Sequence, residues 1–429
     1  MPATLSSSLT DAGRRGGPPR SRPLIFPPSF RDGSLALRGR RVIVRVDFNV
    51  PMDGERVLDR TRLREAAPTI DTLRDAGARV VLLSHRGRPR GRVDAEFSLR
   101  PVAGALSSIL DRPVAFASDC AGAVARNAAA ALDDGSVLLC ENLRFHAGEE
   151  ANDPAFAAEL AALGEVYVND AFGTAHRAHA STAAICGLVE QAFSGLLLDR
   201  ELRQLGRLLD DPPRPFVLVT GGAKIRGKIG ALRRLLPLVD GVLVGGGMSN
   251  TFLAARGAEL GSSLVESESL DLAREIETET AAGGAELLLP IDLVVTDSLE
   301  AAPSKRRVRT VPVEDGVPDG WLAVDIGPAT RAAFEAAVAG AAILFWNGPM
   351  GVFETPPFDA GSLAVARAVA ACDGFTVIGG GETVAAVRQE NLSGRIDHVS
   401  TGGGASLALL AGEKLPAVEA LHAGGREEA

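Results

Sequence analysis

Nine short, almost wholly apolar runs, separated by alanine-rich stretches, constrain the fold of this 429-residue chain more than any other feature. The runs cover residues 41–48, 78–85, 136–142, 165–170, 215–222, 241–247, 286–295, 341–348 and 375–381. Runs that are apolar throughout, and not alternately apolar and polar, are typical of strands buried on both faces of a parallel sheet. Helices between such strands give right-handed βαβ units. The sequence therefore predicts an α/β protein.

The chain is longer than one ordinary domain, and a proline pair marks the place where we expect it to divide. Residues 193–211 carry apolar side chains at helical spacing and end before Pro212 and Pro213, which cannot continue a helix. We predict two Rossmann-like three-layer domains with parallel sheets, joined by a hinge helix. The predicted parts are an N-terminal domain over 35–192, the hinge helix over 193–211, a C-terminal domain over 212–400, and a closing segment over 401–421 that packs back toward the N-terminal domain.

Residues 1–34 differ from the rest of the chain in composition. They hold six prolines, six serines and five arginines, and Asp11 and Asp32 are their only acids. Such a segment cannot bury a core, so we expect a disordered extension. A serine- and arginine-rich, acid-poor segment also fits an organelle-targeting peptide, although six prolines oppose the amphipathic helix of such peptides. The sequence leaves both interpretations open.

Charge and cysteine usage exclude several classes of function. The formal net charge of −9 opposes general nucleic-acid binding, and the longest apolar run, residues 336–346, is too short to span a membrane. Four scattered cysteines without zinc spacing indicate reduced thiols and a cytoplasmic location. Only four of the 45 basic residues are lysines, and two of these, Lys224 and Lys228, lie close together. A chain that otherwise uses arginine keeps lysine where a compact ammonium group is wanted.

Polar residues gather where the predicted strands of the first half end. They include Asp47, Asn49, His85, Gly87, Arg88, Arg144 and Arg177. The carboxyl ends of parallel strands meet at one edge of a sheet, and ligands bind there. Because guanidinium groups bind phosphate and carboxylate oxygens bidentately, this set predicts a pocket for a small polyanion. Ordinary surface ion pairs are the alternative for any single arginine.

The second half carries four glycine clusters instead, at 221–222, 245–247, 379–381 and 402–404. A glycine turn that leads into a helix offers backbone N–H groups to phosphate, whereas a plain turn is the alternative for any one cluster. Lys224 and Lys228 stand four residues apart, so a helix would turn both to one side. Together these features predict nucleotide binding. Residues 222–229 nearly match a P-loop, but Ile229 replaces the hydroxyl that should bind Mg²⁺, so we reject a working P-loop.

Long motifs in both halves resemble the phosphoglycerate kinase family from about residue 37 to residue 421. They are RVDFNVP (45–51), TRLREAAPTI (61–70), SHRGRP (84–89), ENLRFH (141–146), NDAFGTAHRAHAS (169–181), GGAKIRGKI (221–229), WNGPMGVFE (346–354), GGGET (379–383) and HVSTGGGASL (398–407). The resemblance implies a glycolytic kinase that reversibly transfers the acyl phosphate of 1,3-bisphosphoglycerate to MgADP, giving 3-phosphoglycerate and MgATP. It also implies Mg²⁺ as cofactor and a cytoplasmic enzyme that we expect to be a monomer.

The resemblance implies roles for individual residues. The expected catalytic residues are Arg62, Lys224 and Gly381, and the expected metal-side carboxylate is Glu382. The expected substrate-binding residues are Asp47, Phe48, Asn49, Arg62, His85, Gly87, Arg88, Arg144 and Arg177. The expected nucleotide-binding residues are Gly222, Ala223, Lys224, Lys228, Asn347, Glu354, Gly379, Gly380, Gly381, Glu382 and Thr383.

The chemistry that the resemblance implies needs charge stabilisation more than a nucleophile, because an acyl phosphate is already activated. Water must be kept away from it, so we predict hinge closure about residues 193–211. Three positions depart from the family pattern. Glu382 stands where aspartate is usual, Arg86 replaces a leucine and either faces solvent or adds charge to the anion pocket, and Ala408 replaces an acid near the hinge.

Two other functions are alternatives at this stage. One is a catalytically inactive paralogue that binds nucleotide, and the other is a kinase for another carboxylate. The presence of Arg62, Lys224 and Lys228 argues against the inactive paralogue. The basic residues of the first half would discriminate the second alternative, because they should hold the phosphate that is not transferred.

Overall fold

The structure, a computed structural model, describes residues 25–31 and 36–424 and divides into two compact units. Among the described residues, the first unit comprises 25–203 and 414–424, and the second comprises Gln204–Glu413. Within the described ranges, no helix is long and apolar enough to cross a membrane.

The first unit contains a six-stranded parallel sheet and a short antiparallel hairpin. Its strands are β1 (Arg41–Val46), β2 (Met52–Asp53), β3 (Arg56–Val57), β4 (Arg79–Leu83), β5 (Val114–Ala117), β6 (Val137–Cys140), β7 (Val166–Asp170) and β8 (Gln191–Ser194). The order across the sheet is β5-β6-β4-β1-β7-β8, and β2 pairs with β3. The chain leaves β1 on one side through β4 and resumes on the other side with β7, so the topological switch point lies at β1.

Helices connect the strands of this unit. They are α1 (Thr61–Asp75), α2 (Arg100–Leu110), α3 (Gly122–Ala130), α4 (Ala147–Glu150), α5 (Pro154–Ala161) and α6 (Leu196–Gly206). The start of α5 shows how the sequence sets a boundary: the Asp153 carboxylate accepts from Phe156 N at 2.8 Å, and Pro154 occupies the first helical position. The helix α6 lies within the predicted range 193–211, and the boundary between the two units falls inside it.

The second unit contains a six-stranded parallel sheet and a three-stranded antiparallel sheet. Its strands are β9 (Phe216–Thr220), β10 (Gly241–Val244), β11 (Glu286–Leu288), β12 (Asp292–Thr296), β13 (Val308–Pro312), β14 (Leu322–Ile326), β15 (Ile343–Asn347), β16 (Phe375–Gly379) and β17 (His398–Val399). The parallel order is β11-β10-β9-β15-β16-β17, and the antiparallel order is β13-β12-β14. The helices are α7 (Ile229–Leu235), α8 (Gly246–Ala255), α9 (Leu270–Gly283), α10 (Pro328–Ala339), α11 (Ala360–Ala371), α12 (Gly381–Gln389) and α13 (Gly403–Leu410).

The predicted α/β class with parallel sheets is confirmed. The antiparallel sheet was not predicted, because the run 286–295 was interpreted as one strand. In the structure this run forms two strands, β11 in the parallel sheet and β12 in the antiparallel sheet. Pro290 lies in the break between them, where a residue without a backbone N–H cannot continue a strand ladder.

Both ends of the described chain pack on the edge of the first sheet. Of the predicted 1–34 extension, only residues 25–31 are described: Phe30 is buried, and the carbonyl of Pro28 accepts from Ser194 N at 2.9 Å. The last helix, α14 (Pro416–Gly424), belongs to the same unit, and its His422 Nε2 lies 3.0 Å from the carbonyl oxygen of Ile25. Within the predicted closing segment, α13 belongs to the second unit and α14 to the first.

Candidate active site

Four neighbouring strands of the first unit end at one edge of the sheet. They are β6, β4, β1 and β7, in that spatial order. Asp47 directly follows β1, and Ser84 and His85 directly follow β4. Arg144 lies four residues after the end of β6, and Arg177 lies in the segment after β7. The predicted substrate-binding residues therefore lie around the topological switch point, where α/β sheets bind ligands.

Asp47 forms hydrogen bonds to Arg62, a predicted catalytic residue, and to the backbone of the turn in which it lies. Its Oδ2 accepts from Arg62 Nη1 at 2.6 Å, and its Oδ1 accepts from Asn49 N at 3.1 Å. Phe48 is buried, and its backbone N donates to Ser84 Oγ at 2.8 Å. The structure thus brings Asp47, Phe48, Asn49 and Arg62 together. The Arg62 side chain remains 35% exposed, which leaves its guanidinium open on one side.

Gly87 connects substrate candidates from three strand ends. Its N donates to Asn49 Oδ1 at 2.9 Å, and its carbonyl oxygen accepts from Arg144 Nη1 at 2.8 Å. The φ angle of Gly87 is +61°, and a Cβ there would overlap the ring of Phe97. Glycine is therefore required both by the backbone conformation and by the close approach of the ring.

Arg144 is a buried cation with an unused donor. Its side chain is 3% exposed, and its Nη2 has no hydrogen-bond partner among the described residues. Burial lowers the pKa of Arg144, Glu150 at 3.2 Å from Nε opposes this, and the charges of Arg177 and Arg45 lower it further. A buried guanidinium nitrogen without an acceptor is suited to an oxygen of an anionic ligand.

The remaining basic candidates differ in exposure. His85 is 3% exposed, and burial together with the charges of Arg45, Arg144 and Arg62 lowers its pKa well below the usual value. Arg177 is half-buried, and its Nε donates to His176 Nε2 at 3.2 Å. Arg88 is exposed, and its side chain makes no hydrogen bond to a described residue.

Arg86 settles one of the departures from the family pattern. It is half-buried, and its Nη1 donates to the carbonyl oxygens of Glu96 and Ser98. The guanidinium group therefore contacts the loop that precedes α2, and it makes no hydrogen bond to Gly87 or Arg144. The added arginine therefore stabilises the loop before α2.

In the second unit, glycines after β9 and β10 let three loops approach closely. Gly222 N donates to the carbonyl oxygen of Pro349 at 2.8 Å, and Gly246 N donates to that of Met350 at 2.9 Å. A Cβ on Gly221 would overlap the carbonyl oxygen of Pro349, and a Cβ on Gly246 would lie 2.8 Å from Gly222 N. These glycines are needed for loop packing, which brings several backbone amides to one edge of the sheet.

A cavity of about 200 Å³ lies beside these loops. Its lining combines backbone, apolar and acidic groups and includes Gly222, Ala223, Gly246, Asn250, Leu264, Pro349, Val352, Glu354 and Glu382. Apolar walls with a few convergent polar groups are typical of small-molecule sites. The cavity thus brings four of the predicted nucleotide-binding residues around one space: Gly222, Ala223, Glu354 and Glu382.

Lys224 and Lys228 have different environments, contrary to the expectation that a helix turns both to one side. The helix α7 begins only at Ile229, so both lysines lie in the preceding loop. Lys224 is exposed and has no hydrogen bond or ion pair to a described residue. Lys228 Nζ donates to the carbonyl oxygens of Gly221 and Asn347, each at 2.6 Å. Burial lowers the pKa of Lys228 to about 8, although Glu382 opposes the shift.

The loops after β15 and β16 carry the remaining nucleotide candidates. Gly379 ends β16, and Gly380, with a φ of +93°, precedes α12, which begins at Gly381. The buried Thr383 accepts a hydrogen bond on Oγ1 from Gly348 N at 2.7 Å. The first turn of a helix leaves N–H groups without partners in the helix, so the start of α12 can receive phosphate oxygens.

Glu382 and Glu354 form the acidic part of this site, and their chemistry fits a divalent cation. Burial, followed by the charge of Glu354 and a hydrogen bond to it, raises the pKa of Glu382, while Lys228 lowers it. Two carboxyl groups that repel one another in this way are relieved by Mg²⁺, which binds one or two carboxylates together with substrate phosphates. The residues present therefore fit the implied cofactor.

A second group of possible metal ligands lies in the first unit. Asp119, Cys120 and His146 bring one ligand atom each within 4.8 Å of the others. The Asp119 Oδ1 atom, however, already accepts from Cys120 N at 2.7 Å and lies 2.7 Å from His146 Nε2. Burial raises the pKa of the Cys120 thiol well above the usual value, which keeps it protonated. These contacts are those of a hydrogen-bonded turn before α3.

The sequence did not predict two buried residues, Ser84 and Arg45, that contact residues of the candidate site. Ser84 Oγ accepts a hydrogen bond from Phe48 N and donates to the carbonyl oxygen of Val46 at 2.8 Å. Arg45 Nη2 lies 3.1 Å from His85 Nδ1. The signal for Arg45 was present: an arginine in the otherwise apolar run of β1 must find a buried partner. The identity of that partner was not readable from the sequence.

Comparisons with known proteins agree on one family. The family model described as "Phosphoglycerate kinase" matches residues 33–413. The phosphoglycerate kinase of Moorella thermoacetica is 54% identical over 388 residues, which cover 90% of this chain and 97% of that protein. That of Herpetosiphon aurantiacus is 52% identical over 389 residues, which cover 90% of this chain and 98% of that protein.

Solved structures give the same result. The phosphoglycerate kinase of Coxiella burnetii superposes with a TM-score of 0.82 at 39% identity, covering 93% of this chain and all of that one. The phosphoglycerate kinase of Pyrococcus horikoshii has a TM-score of 0.81 at 30% identity, covering 92% of this chain and 99% of that one.

Proposed function

Because the chain belongs to the phosphoglycerate kinase family, we propose that its first unit binds the phosphoglycerate and its second unit binds the nucleotide. The protein is a glycolytic phosphotransferase that moves a phosphoryl group between 1,3-bisphosphoglycerate and ADP. No observation on the described residues favours an inactive paralogue or a kinase for another carboxylate. The proposals below concern which residues carry the reaction.

The observation that carries the assignment of the first unit is the unpaired Nη2 of the buried Arg144. Glu150 lies 3.2 Å from Nε, but the Nη2 atom has no acceptor, and the nearby His85 and Arg177 add donors but no negative charge. We assign the phosphate that is not transferred to Arg144, Arg177 and His85, with Arg88 at the exposed side. Asp47 and Asn49 are assigned to the glycerate hydroxyl and carboxyl groups. Gly87 is assigned a supporting role, because its backbone hydrogen bonds hold Asn49 and Arg144.

The nucleotide is assigned to the cavity beside the glycine loops of the second unit. Its apolar wall suits a base, Glu354 in its lining suits the ribose hydroxyl groups, and the α12 start suits phosphate. Lys228 donates to two carbonyl oxygens, which hold its ammonium group in one position near these phosphates. Asn347 and Thr383 fix the loops that present the backbone amides.

Three groups are assigned to the transferring phosphoryl group: Arg62, Lys224 and the N–H of Gly381. The transition state of phosphoryl transfer spreads negative charge over the equatorial oxygens, so catalysis requires donors that are oriented in advance. Arg62 is oriented by Asp47 at 2.6 Å, and Lys224 is exposed and engaged by no described residue. Gly381 lies at the positive end of α12.

We assign Mg²⁺ to Glu382, with Glu354 as a neighbouring carboxylate. When bound, the ion neutralises charge on the nucleotide phosphates. Glutamate in place of the usual aspartate keeps the negative charge and lengthens the side chain by one methylene group. The side chain remains exposed, so it can adjust to the longer reach.

The proposal extends to the state and location of the enzyme. We propose that the enzyme acts as a monomer. Cys120, Cys140 and Cys186 are buried free thiols, which supports the reducing conditions of the cytoplasm. The helix α6 contains the boundary between the units, which supports its assignment as the hinge.

The test is steady-state kinetics of Arg144→Gln in the direction of 3-phosphoglycerate phosphorylation. We expect KM for 3-phosphoglycerate to rise about tenfold or more with KM for ATP unchanged, because a charged hydrogen bond to one substrate is lost. Arg79→Gln is the matched control, since Arg79 lies on β4 and pairs with Asp134 at 3.0 Å. An equal rise in both KM values, or none in that for 3-phosphoglycerate, contradicts the assignment.

A further inference from the structure

The imidazole ring of His85 contacts a buried arginine, Arg45, to which the preceding assignments give no role. Arg45 lies on β1 and is fully buried. Its Nη2 lies 3.1 Å from His85 Nδ1, its Nε donates to Ser181 Oγ at 2.9 Å, and its Nη1 donates to the carbonyl oxygen of Val46. All three guanidinium nitrogens are engaged, so Arg45 has one defined orientation toward the imidazole ring.

The charge of Arg45 is balanced on the side away from His85. Ser181 Oγ, which accepts from Arg45, donates to Glu149 Oε1 at 2.7 Å, and Ser181 N donates to Glu149 Oε2 at 3.0 Å. Burial raises the pKa of Glu149, but His179, Arg45 and Ser181 outweigh burial and hold the pKa below its usual value. Glu149 is therefore ionised, and its charge allows Arg45 to remain a buried cation.

We propose that Arg45 is a positioning residue that holds His85 as the neutral tautomer with its proton on Nε2. A guanidinium group has donors and no acceptor, so His85 Nδ1 must accept the hydrogen bond and can carry no proton. The proton of the neutral ring is then on Nε2, which makes no hydrogen bond to a described residue. Nε2 is the ring atom that can donate to a ligand.

The charges that face His85 support this arrangement from every side. Arg45 on β1, Arg62 on α1, Arg144 after β6 and His179 after β7 all oppose protonation of the ring, and burial opposes it most. Among the described residues, Asp47 is the one acid that forms an ion-pair contact with the ring, but its Oδ1 lies 3.9 Å from Nδ1, beyond hydrogen-bond distance. Asp47 is also paired with Arg62. Without Arg45, Asp47 would be the acceptor that draws a proton to Nδ1.

The consequence for binding rests on the proposed function of the pocket. A neutral Nε2–H gives a substrate oxygen a directional hydrogen bond, while Arg144 and its neighbours supply the positive charge. The contribution of His85 then stays constant from about pH 5 to about pH 8, the range in which an ordinary histidine changes its charge. The residue would thus be a fixed donor and not a titrating one.

The direct test is nitrogen NMR of the full chain with ¹⁵N-labelled histidine, in which the His85 signals are assigned by their loss in His85→Gln. We expect an unprotonated Nδ1 and a protonated Nε2 that persist from about pH 5 to about pH 8. A protonated Nδ1, or a titration of His85 within that range, overturns the proposal. Phosphoglycerate kinase activity is assayed on the same sample. Its absence would count against the proposed function alone.

Variants of Arg45 test the cause. In Arg45→Met we expect Nδ1 of His85 to be free to carry the proton, so that the Nε2–H tautomer is partly lost and KM for 3-phosphoglycerate rises, with kcat changed less. Arg45→Lys restores a donor-only partner and should restore the Nε2–H tautomer. Arg41→Met is the control, because Arg41 starts the same strand and pairs with Glu165. An unchanged Nε2–H tautomer in Arg45→Met overturns the proposal, and the wild-type spectrum decides it if this variant does not fold.

Discussion

Arg62 donates from Nη1 to Asp47 Oδ2 at 2.6 Å, so the arginine assigned to the moving phosphoryl group rests against an acid that immediately follows β1. Arg62 lies in the first turn of α1, and Asp47 also anchors its own turn through Asn49 N. The pair therefore fixes the guanidinium in direction while 35% of its side chain stays exposed. Because the arginine keeps part of its contact with solvent, the pair contributes only modestly to stability, which leaves orientation of the guanidinium as its main effect.

Arg62→Ala is expected to lower kcat about 10²–10³-fold, the usual effect of removing one oriented donor at a developing negative charge. KM for the nucleotide should stay unchanged, because Arg62 belongs to the first unit. Steady-state kinetics in both directions measures this. Arg60→Ala is the control, since Arg60 is exposed and precedes α1. A variant that loses substrate affinity with an unchanged kcat would reassign Arg62 to simple binding.

Lys228 should make nucleotide binding depend on pH. Burial lowers its pKa to about 8, and only the charged ammonium attracts phosphate. ADP affinity, measured by titration calorimetry, is expected to weaken as pH rises from about 7 to about 9, and Lys228→Met should remove most of this dependence. Lys305→Met is the control, because Lys305 is exposed. A pH dependence that persists in Lys228→Met contradicts the prediction.

The central strands were predictable because burial on both faces leaves a wholly apolar run. Val42, Ile43 and Val44 in β1 are fully buried, and the apolar run in the sequence indicates this directly. Edge strands carry no such signal. The strand β13 is exposed at four of its five positions, and β17 has two residues, so neither was predicted.

The candidate site was predictable where a residue's chemistry follows from its place at a strand end, as for Asp47, His85 and Arg144. It was not predictable where the role depends on distant partners. Lys228 is buried because the carbonyl of Asn347, 119 positions later, accepts from it. Arg45 is held by Ser181, 136 positions away. Spacing along a chain carries no information about such contacts until the fold is known.

Asp325 should make the stability of the protein fall with rising pH. It is buried, its Oδ2 accepts from Gly361 N at 2.7 Å, and burial raises its pKa to about 7. In the unfolded chain the carboxyl group has a pKa of about 3.9, so the folded state binds more protons between about pH 4 and about pH 7. The contribution of Asp325 to the free energy of unfolding therefore decreases across that window and is constant above it.

Thermal unfolding of Asp325→Asn and the parent chain over that window measures the effect. The difference in midpoint temperature should shift in favour of the variant as pH rises, because asparagine keeps an acceptor and never ionises. Asp319→Asn is the control, since Asp319 is exposed. Parallel curves for Asp325→Asn and the parent chain would show that the group does not titrate in this range.

Glu382 should set the requirement for Mg²⁺. Its carboxyl pKa is raised by burial and by Glu354, so a cation that binds there displaces protons and relieves repulsion. Glu382→Gln is expected to raise the Mg²⁺ concentration for half-maximal activity about tenfold, while ADP binding without metal is unchanged or stronger because a negative charge near the phosphates is lost.

Mg²⁺ titrations of activity and metal-free ADP calorimetry separate the two effects. Glu390→Gln is the matched control, because Glu390 directly follows the same helix and pairs with Arg367 at 3.1 Å. Glu382→Asp tests the added methylene: if the metal binds this side chain, aspartate retains the Mg²⁺ response that glutamine loses, since charge matters more than reach at an exposed position. An unaltered Mg²⁺ response in Glu382→Gln would move the metal to other ligands of the nucleotide site.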